Sequence, residues 1–215
     1  IGAAKIGLSM GAERLYPYIR NFGFGRAIGA DIPGEASGFV RAPKWAPIEL
    51  ANISFGQGIS VTALQLTNAF SALANGGRLM RPFVVREILD AEGNTVERRA
   101  PQELGAVISP ETARQVTQML VSVVSPEGTG SQAAIEGFRV AGKTGTAQKP
   151  DVRHGGYLKG KYMASFVGFV PAQDPRLCVL VVLDEPQGMI YGGQVAAPVF
   201  REIVWDSLGI LGVSR

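Results

Sequence analysis

The chain has 215 residues, of which 46% are hydrophobic and 18% charged, and its formal net charge is +3. That apolar content can fill a core and excludes a disordered chain, the single cysteine excludes an internal disulfide and cysteine-rich metal sites, and no apolar run reaches the roughly 18 residues of a membrane span. Acidic residues interleave with the basic ones, so no nucleic-acid partner is expected.

The sequence starts at Ile1 with no signal-like segment ahead of its first periodic stretch, and is expected to be a piece of a longer protein. Residues 1–10 place small and apolar side chains at helical spacing before Gly11. A second short helix is expected over 12–22, starting late or kinking at Pro17. Residues 23–37 read as loop, and 41–50, with Pro43, Trp45 and Pro47, as extended or irregular. Residues 62–75 form the clearest helix. Thr62 and Gln65 stand at capping-box spacing, Leu66, Ala69, Phe70 and Leu73 share a face, and Asn75-Gly76-Gly77 closes the end. Residues 83–89 and 95–98 flank a turn-rich 90–94 and predict a hairpin. Ser109-Pro110 starts a helix running to about Val124, and 125–137 is loop. Three strands follow, over 138–148, 162–170 and 177–184. The short link from Pro171 to Pro175 suits an antiparallel hairpin, and LCVLVVL predicts a strand covered on both faces. A helix over about 196–208 comes last. Helices before and after a small antiparallel sheet make an α+β domain with the sheet packed between helices.

The chemistry concentrates at Gly142-Lys143-Thr144-Gly145-Thr146. Read from Gly137, GFRVAGKT fits the phosphate-loop pattern G-x-x-x-x-G-K-[ST]. That pattern works only between a buried strand and a helix. SQAAIE, which precedes Gly137, makes a poor buried strand, and Pro150 falls where a helix should be gaining length. Alternation through Phe138 and Val140 instead favours an edge strand. Period two sends Lys143 and Gly145 one way and Thr144 and Thr146 the other. An edge offers unpaired backbone groups to an extended peptide, and Gly145 admits close approach. Threonine hydroxyls beside an ammonium suit a carboxylate, and a free N–H suits an oxyanion. An ordinary strand with an exposed Lys and Thr explains these four residues equally well.

Four stretches occur in order: FGQGISVTALQLTNAFSALANGG, VAGKTGTAQK, ASFVGFVPAQDPRLCVLVVLDEP and YGGQVAAPVFREI. Together they closely resemble the penicillin-binding transpeptidases, in particular the class B, monofunctional type of division or elongation. The resemblance covers nearly the whole chain. It implies the serine β-lactamase/penicillin-binding transpeptidase fold, with residues 1–215 the C-terminal portion of a single transpeptidase domain, and it implies no cofactor. By resemblance Lys143 is catalytic, positioning and polarising a serine of the second family motif. Thr144, Gly145 and Thr146 bind the substrate or a β-lactam, the two hydroxyls taking its carboxylate and the Thr146 N–H serving the oxyanion. The implied reaction cross-links peptidoglycan stem peptides ending in D-Ala-D-Ala through a serine ester. Implied partners are stem peptides, β-lactams and, for the full protein, membrane proteins of division or elongation. The implied location is the periplasmic side of a bacterial cell envelope, with the full protein anchored to the inner membrane.

Two of the three family motifs are missing, since no serine is followed by Lys at the third position and no Ser-x-Asn occurs. The nucleophile is therefore expected upstream, on the absent N-terminal part of the domain, supplied as another polypeptide. The isolated chain is expected to be inactive. The alternatives are a serine β-lactamase or β-lactam sensor domain, for which no deacylating Glu motif is recognisable, and a non-catalytic binding module of the same fold.

Outside the motif, His154 belongs to a loop between strands, and Cys178 reads as a buried small hydrophobe. Asp184 and Glu185 read as solvent-exposed. Gln57 sits in a glycine turn. Tyr191-Gly192-Gly193 turns into the last helix and is a candidate to edge the cleft. Trp45 and Trp205 read as packing residues. Lys149, Arg153, Lys159 and Lys161 form a basic, solvated loop beside the motif.

Overall fold

The computed structural model describes residues 1–213, which divide into two compact units, residues 1–72 with 77–108, and residues 73–76 with Ser109 onward. In the first, small residues let helices meet. Helix α1 (Gly2–Met10) packs on α3 (Pro47–Ser54), and a Cβ on Gly7 would fall 1.7 Å from Ser54 Oγ, so only glycine fits. Of the two alternatives expected at Pro17, a late start or a kink, the late start does not occur: α2 (Ala12–Asn21) begins at Ala12 and carries Pro17 inside it, forgoing the one hydrogen bond its missing N–H would make. The extended reading of 41–50 is corrected at its second half. Pro47 opens α3, where its missing N–H is not needed, and Glu49 accepts a hydrogen bond from Ala46 N at 2.7 Å. Trp45 is buried with Leu50 and Ile53, edge-on to Tyr16 at 6.0 Å.

Helix α4 (Ala63–Ala74) closes its capping box in both directions. Thr62 N donates to Gln65 Oε1 at 2.9 Å, and Gln65 N to Thr62 Oγ1 at 3.1 Å. Gln65 is fully buried, and its Nε2 donates to Arg26 O at 2.8 Å and Ser37 O at 2.9 Å, tying the 23–37 loop to the helix. Two antiparallel pairs follow: β1 (Arg78–Arg81) with β4 (Gln102–Ala106), and β2 (Glu87–Leu89) with β3 (Thr95–Arg98). The second is the expected hairpin, with a shorter first strand. The N–H groups of Val84 and Val85 donate to the Asp31 carboxylate at 2.8 and 2.9 Å instead of a ladder.

In the second unit α5 (Pro110–Ser122) is capped by Ser109, whose Oγ accepts from Thr112 N at 3.1 Å. A 3-10 turn (Ser131–Ala133) lies within the expected loop. Strands β5 (Ala141–Pro150), β6 (Tyr157–Val170) and β7 (Leu177–Asp184) form an antiparallel sheet in the order β5-β6-β7. Helices α6 (Gly192–Val195) and α7 (Ala197–Ile210) follow. The core joins Phe166 and Val170 of β6 to Phe200, Val204 and Leu208 of α7, with the Phe166 and Phe200 rings 4.8 Å apart at 61°. Burying one such aromatic side chain contributes about 2–3 kcal/mol.

Three packing expectations need correction here. Leu177, Val179, Val181 and Leu183 pack on that core, but Cys178 and Leu180 on the other face are half-buried and Val182 is 42% exposed. An apolar run signals hydrophobicity, not how far each face is covered, and β7 is an outer strand among the described residues. Trp205 is 48% exposed because the inward stripe of α7 runs through Val204 and Leu208, turning its neighbour outward. The sheet itself is flanked by α5, α6 and α7, as the α+β reading requires.

Candidate active site

Residues 143–146 lie in the middle of β5. Thr144 and Thr146 stand opposite Phe166 and Ala164 of β6, on the core-bearing face, while Lys143 and Gly145 stand opposite Val167 and Ser165 on the other. Among the described residues β5 has a strand neighbour on one side only. The phosphate-loop alternative is thereby excluded: the segment is extended, and a second strand follows it, not a helix.

The four residues are joined in two local groups. Lys143 Nζ donates to Thr144 O at 2.8 Å and makes a longer 3.4 Å contact with Thr144 Oγ1. Partial burial pushes the Lys143 ammonium below the usual lysine range. Thr144 Oγ1 in turn lies 3.0 Å from Thr129 Oγ1. The other group links Thr146 to α6, because Gly192 N donates to Thr146 Oγ1 at 3.2 Å.

Two features of this site go beyond the sequence reading, which gives Gly192-Gly193 as a turn and a candidate cleft edge and does not single out Thr129. Gly192-Gly193 is more than a turn. A Cβ on Gly192 would fall 2.1 Å from Ser165 O and 2.5 Å from Gly145 O, and one on Gly193 would fall 2.0 Å from Thr129 O. The pair is a wedge that seats α6 directly against the motif strand. A glycine pair opening a helix, where glycine is a poor helix former, is the available signal for such close approach. Thr129, the second feature, is the lone side chain of Gly128-Thr129-Gly130, with no local motif to single it out.

Asp184, Arg153, Lys159 and Lys161 are exposed as expected, whereas Glu185 and Lys149 are half-buried and the carboxylates are ion-paired. Lys149 Nζ donates to Asp184 Oδ1 and Glu185 Oε1, both at 2.9 Å, and Lys161 Nζ to Glu185 Oε2 at 2.6 Å. Two of the four basic residues are thus neutralised by the two carboxylates taken as solvated, since the antiparallel register brings these strand ends together. The lysine ammoniums hold the Glu185 carboxyl below the usual glutamate range. His154 is exposed in the hairpin turn between β5 and β6, with Nδ1 3.0 Å from Asp151 Oδ2. Cys178, on the sheet face of Lys143, is half-buried, not enclosed. What the strand edge can do chemically is present hydroxyls and an ammonium to an anionic, extended ligand.

Comparison with known proteins gives the same direction. The family model described as penicillin binding protein transpeptidase domain matches residues 1–204. The chain is 46% identical over 215 residues to stage V sporulation protein D of Bacillus subtilis, covering 99% of this chain and 33% of that protein. It is 38% identical over 216 residues to the probable peptidoglycan D,D-transpeptidase PenA of Neisseria meningitidis, covering 100% and 35%. Among solved structures, penicillin-binding protein 3 of Mycobacterium tuberculosis complexed with aztreonam matches with a TM-score of 0.90 at 34% identity, covering 99% of this chain and 49% of that one. The chain spans about a third of the length of these curated relatives.

Proposed function

The chain belongs to the penicillin-binding protein transpeptidase domain family, and from that membership we propose that it forms the substrate-binding wall of a serine D,D-transpeptidase. The observation that carries the reading is the open edge of β5, with Lys143 Nζ, Thr144 Oγ1 and Thr129 Oγ1 in one hydrogen-bonded row. The nucleophilic serine, its Lys partner and the second-motif serine lie outside these 215 residues, because no Ser-x-x-Lys or Ser-x-Asn occurs within them. Residues 1–215 are the C-terminal portion of one catalytic domain, and the serine-bearing portion is its required partner.

In the reaction the serine oxygen attacks the carbonyl of the D-Ala-D-Ala peptide bond. The serine proton passes to the departing amine, D-alanine leaves, and the peptide stays as a serine ester. The amine of a neighbouring stem then attacks the ester, its proton returns to the serine, and a cross-link remains. Lys143 polarises the second-motif serine, the Thr144 and Thr146 side of the strand receives the substrate carboxylate, and the Thr146 N–H faces the oxyanion. Peptidoglycan and β-lactams are the ligands, and the site works on the outer side of a bacterial cytoplasmic membrane, with division or elongation proteins as neighbours. No helix among the described residues is long and apolar enough to cross a membrane. The likeness to PenA, a probable peptidoglycan D,D-transpeptidase, favours a transpeptidase over a β-lactamase, a sensor or a silent module.

Mass spectrometry after incubation with benzylpenicillin tests this. The protein that joins this chain to its serine-bearing part gains the mass of one drug molecule, and the 215-residue chain alone gains none. An adduct on the isolated chain, or none on the longer protein, overturns the proposal.

A further inference from the structure

We propose that Thr129 is a positioning residue that orients the Thr144 hydroxyl toward the substrate carboxylate. This rests on the reading of β5 as a carboxylate-binding edge. A threonine hydroxyl has one proton and two lone pairs. Thr144 Oγ1 has the Lys143 ammonium, a donor only, at 3.4 Å and the Thr129 hydroxyl at 3.0 Å. If Thr129 donates, Thr144 oxygen accepts from both neighbours and its own proton is left for an incoming acceptor. If the Thr144 hydroxyl donates instead, its proton is consumed and Thr129 holds the free one. The ammonium favours the first arrangement, because it draws the Thr144 oxygen toward itself and turns the proton away. An arriving carboxylate, which only accepts, selects it as well.

The loop that carries Thr129 is built to hold it there. Gly128 N donates to Ser125 O and Gly130 N to Val123 O, both at 2.9 Å. A Cβ on Gly128 would fall 2.1 Å from Val123 O, and one on Gly130 2.7 Å from Phe166 Cε2. Gly193 reaches the Thr129 carbonyl from the other side. Only Thr129 in this turn has a side chain, and it is exposed and spent on Thr144. Packing does not require that hydroxyl, so its use lies in the site.

The test is a double-mutant cycle on the protein that joins this chain to its serine-bearing part, reading the second-order rate of acylation by benzylpenicillin. Thr129→Val lowers the rate roughly tenfold, as expected when one hydrogen bond toward a charged group is lost, and Thr129→Ser stays within about threefold of wild type. In a Thr144→Val background, Thr129→Val changes little further, because the effect passes through Thr144. Thr129→Ala replaces the valine variant if the latter does not fold. Full additivity of the two losses, failure of Ser to rescue, or an indifferent Thr129→Val sinks this inference alone. A wild-type protein that takes no penicillin sinks the functional reading and this inference together.

Discussion

The backbone N–H of Gly192 donates to Thr146 Oγ1 at 3.2 Å, which fastens the first residue of α6 to the last residue of the motif. Gly192 is not in the left-handed region, so it is glycine for space, not for conformation. Its Cβ would strike the carbonyl oxygens of Ser165 and Gly145, and backbone cannot step aside as a flexible side chain can. Gly192→Ala is expected to cost about 2 kcal/mol and to lower penicillin acylation with it, because β5 is what must move. Gly209→Ala, in α7 with nothing within 4 Å of its Cβ, is the control and gains up to about 1 kcal/mol. Chemical denaturation of both variants checks the contrast, and equal behaviour removes the wedge.

The Lys143 ammonium is partly desolvated in the folded chain. Burial depresses its pKa below 10.5, so the folded state carries a penalty that is full below the folded pKa and is relieved as pH rises toward the unfolded value. Lys143→Met removes the penalty. Its stability relative to wild type is expected to be most favourable near neutral pH and to shrink toward pH 10, while acylation falls by about 100-fold or more. Thermal melts across alkaline pH read the first effect. A pH-independent difference shows the ammonium to be unstrained.

The motif strand is legible in the sequence because period-two alternation and Pro150 both argue against a helix, and α4 is legible because its cap is written in adjacent residues. Pairing over distance is not. Arg78-Leu79-Met80-Arg81 has no alternating signal, and its partner strand begins at Gln102. Glu185 finds its lysines 24 and 36 residues away, and Thr129 finds Thr144 15 residues on. Pro47 misleads for a different reason, since a breaker inside a helix is a starter at its first turn.

Glu185 gives a second pH signature, of opposite sign. Lys161 and Lys149 hold its carboxyl below 4.5, so its contribution is present above that value and lost as pH falls through the folded pKa. Glu185→Gln is expected to lower the melting temperature at pH 7, with the gap to wild type closing below about pH 4 and narrowing in high salt. A gap that persists in acid assigns the effect to packing instead.

Gln65 is the deepest polar group of the first unit, and its two ends do different work. Oε1 accepts from Thr62 N, and Nε2 donates to Arg26 O and Ser37 O. Gln65→Leu keeps the volume and strands all three backbone partners, at a cost of about 3 kcal/mol. Gln65→Glu preserves the acceptor for Thr62 but points a buried carboxylate at two carbonyl oxygens, so its pKa rises and the protonated form, which can donate once, is favoured. The Glu variant is therefore expected to be less stable than the Leu variant at pH 7 and to recover as pH falls, because the folded state then binds a proton the unfolded chain does not. Denaturation midpoints of both variants between pH 5 and 8 measure this. A Glu variant with a flat profile, or one as stable as wild type at pH 7, shows that the 23–37 loop is not held by the Gln65 amide.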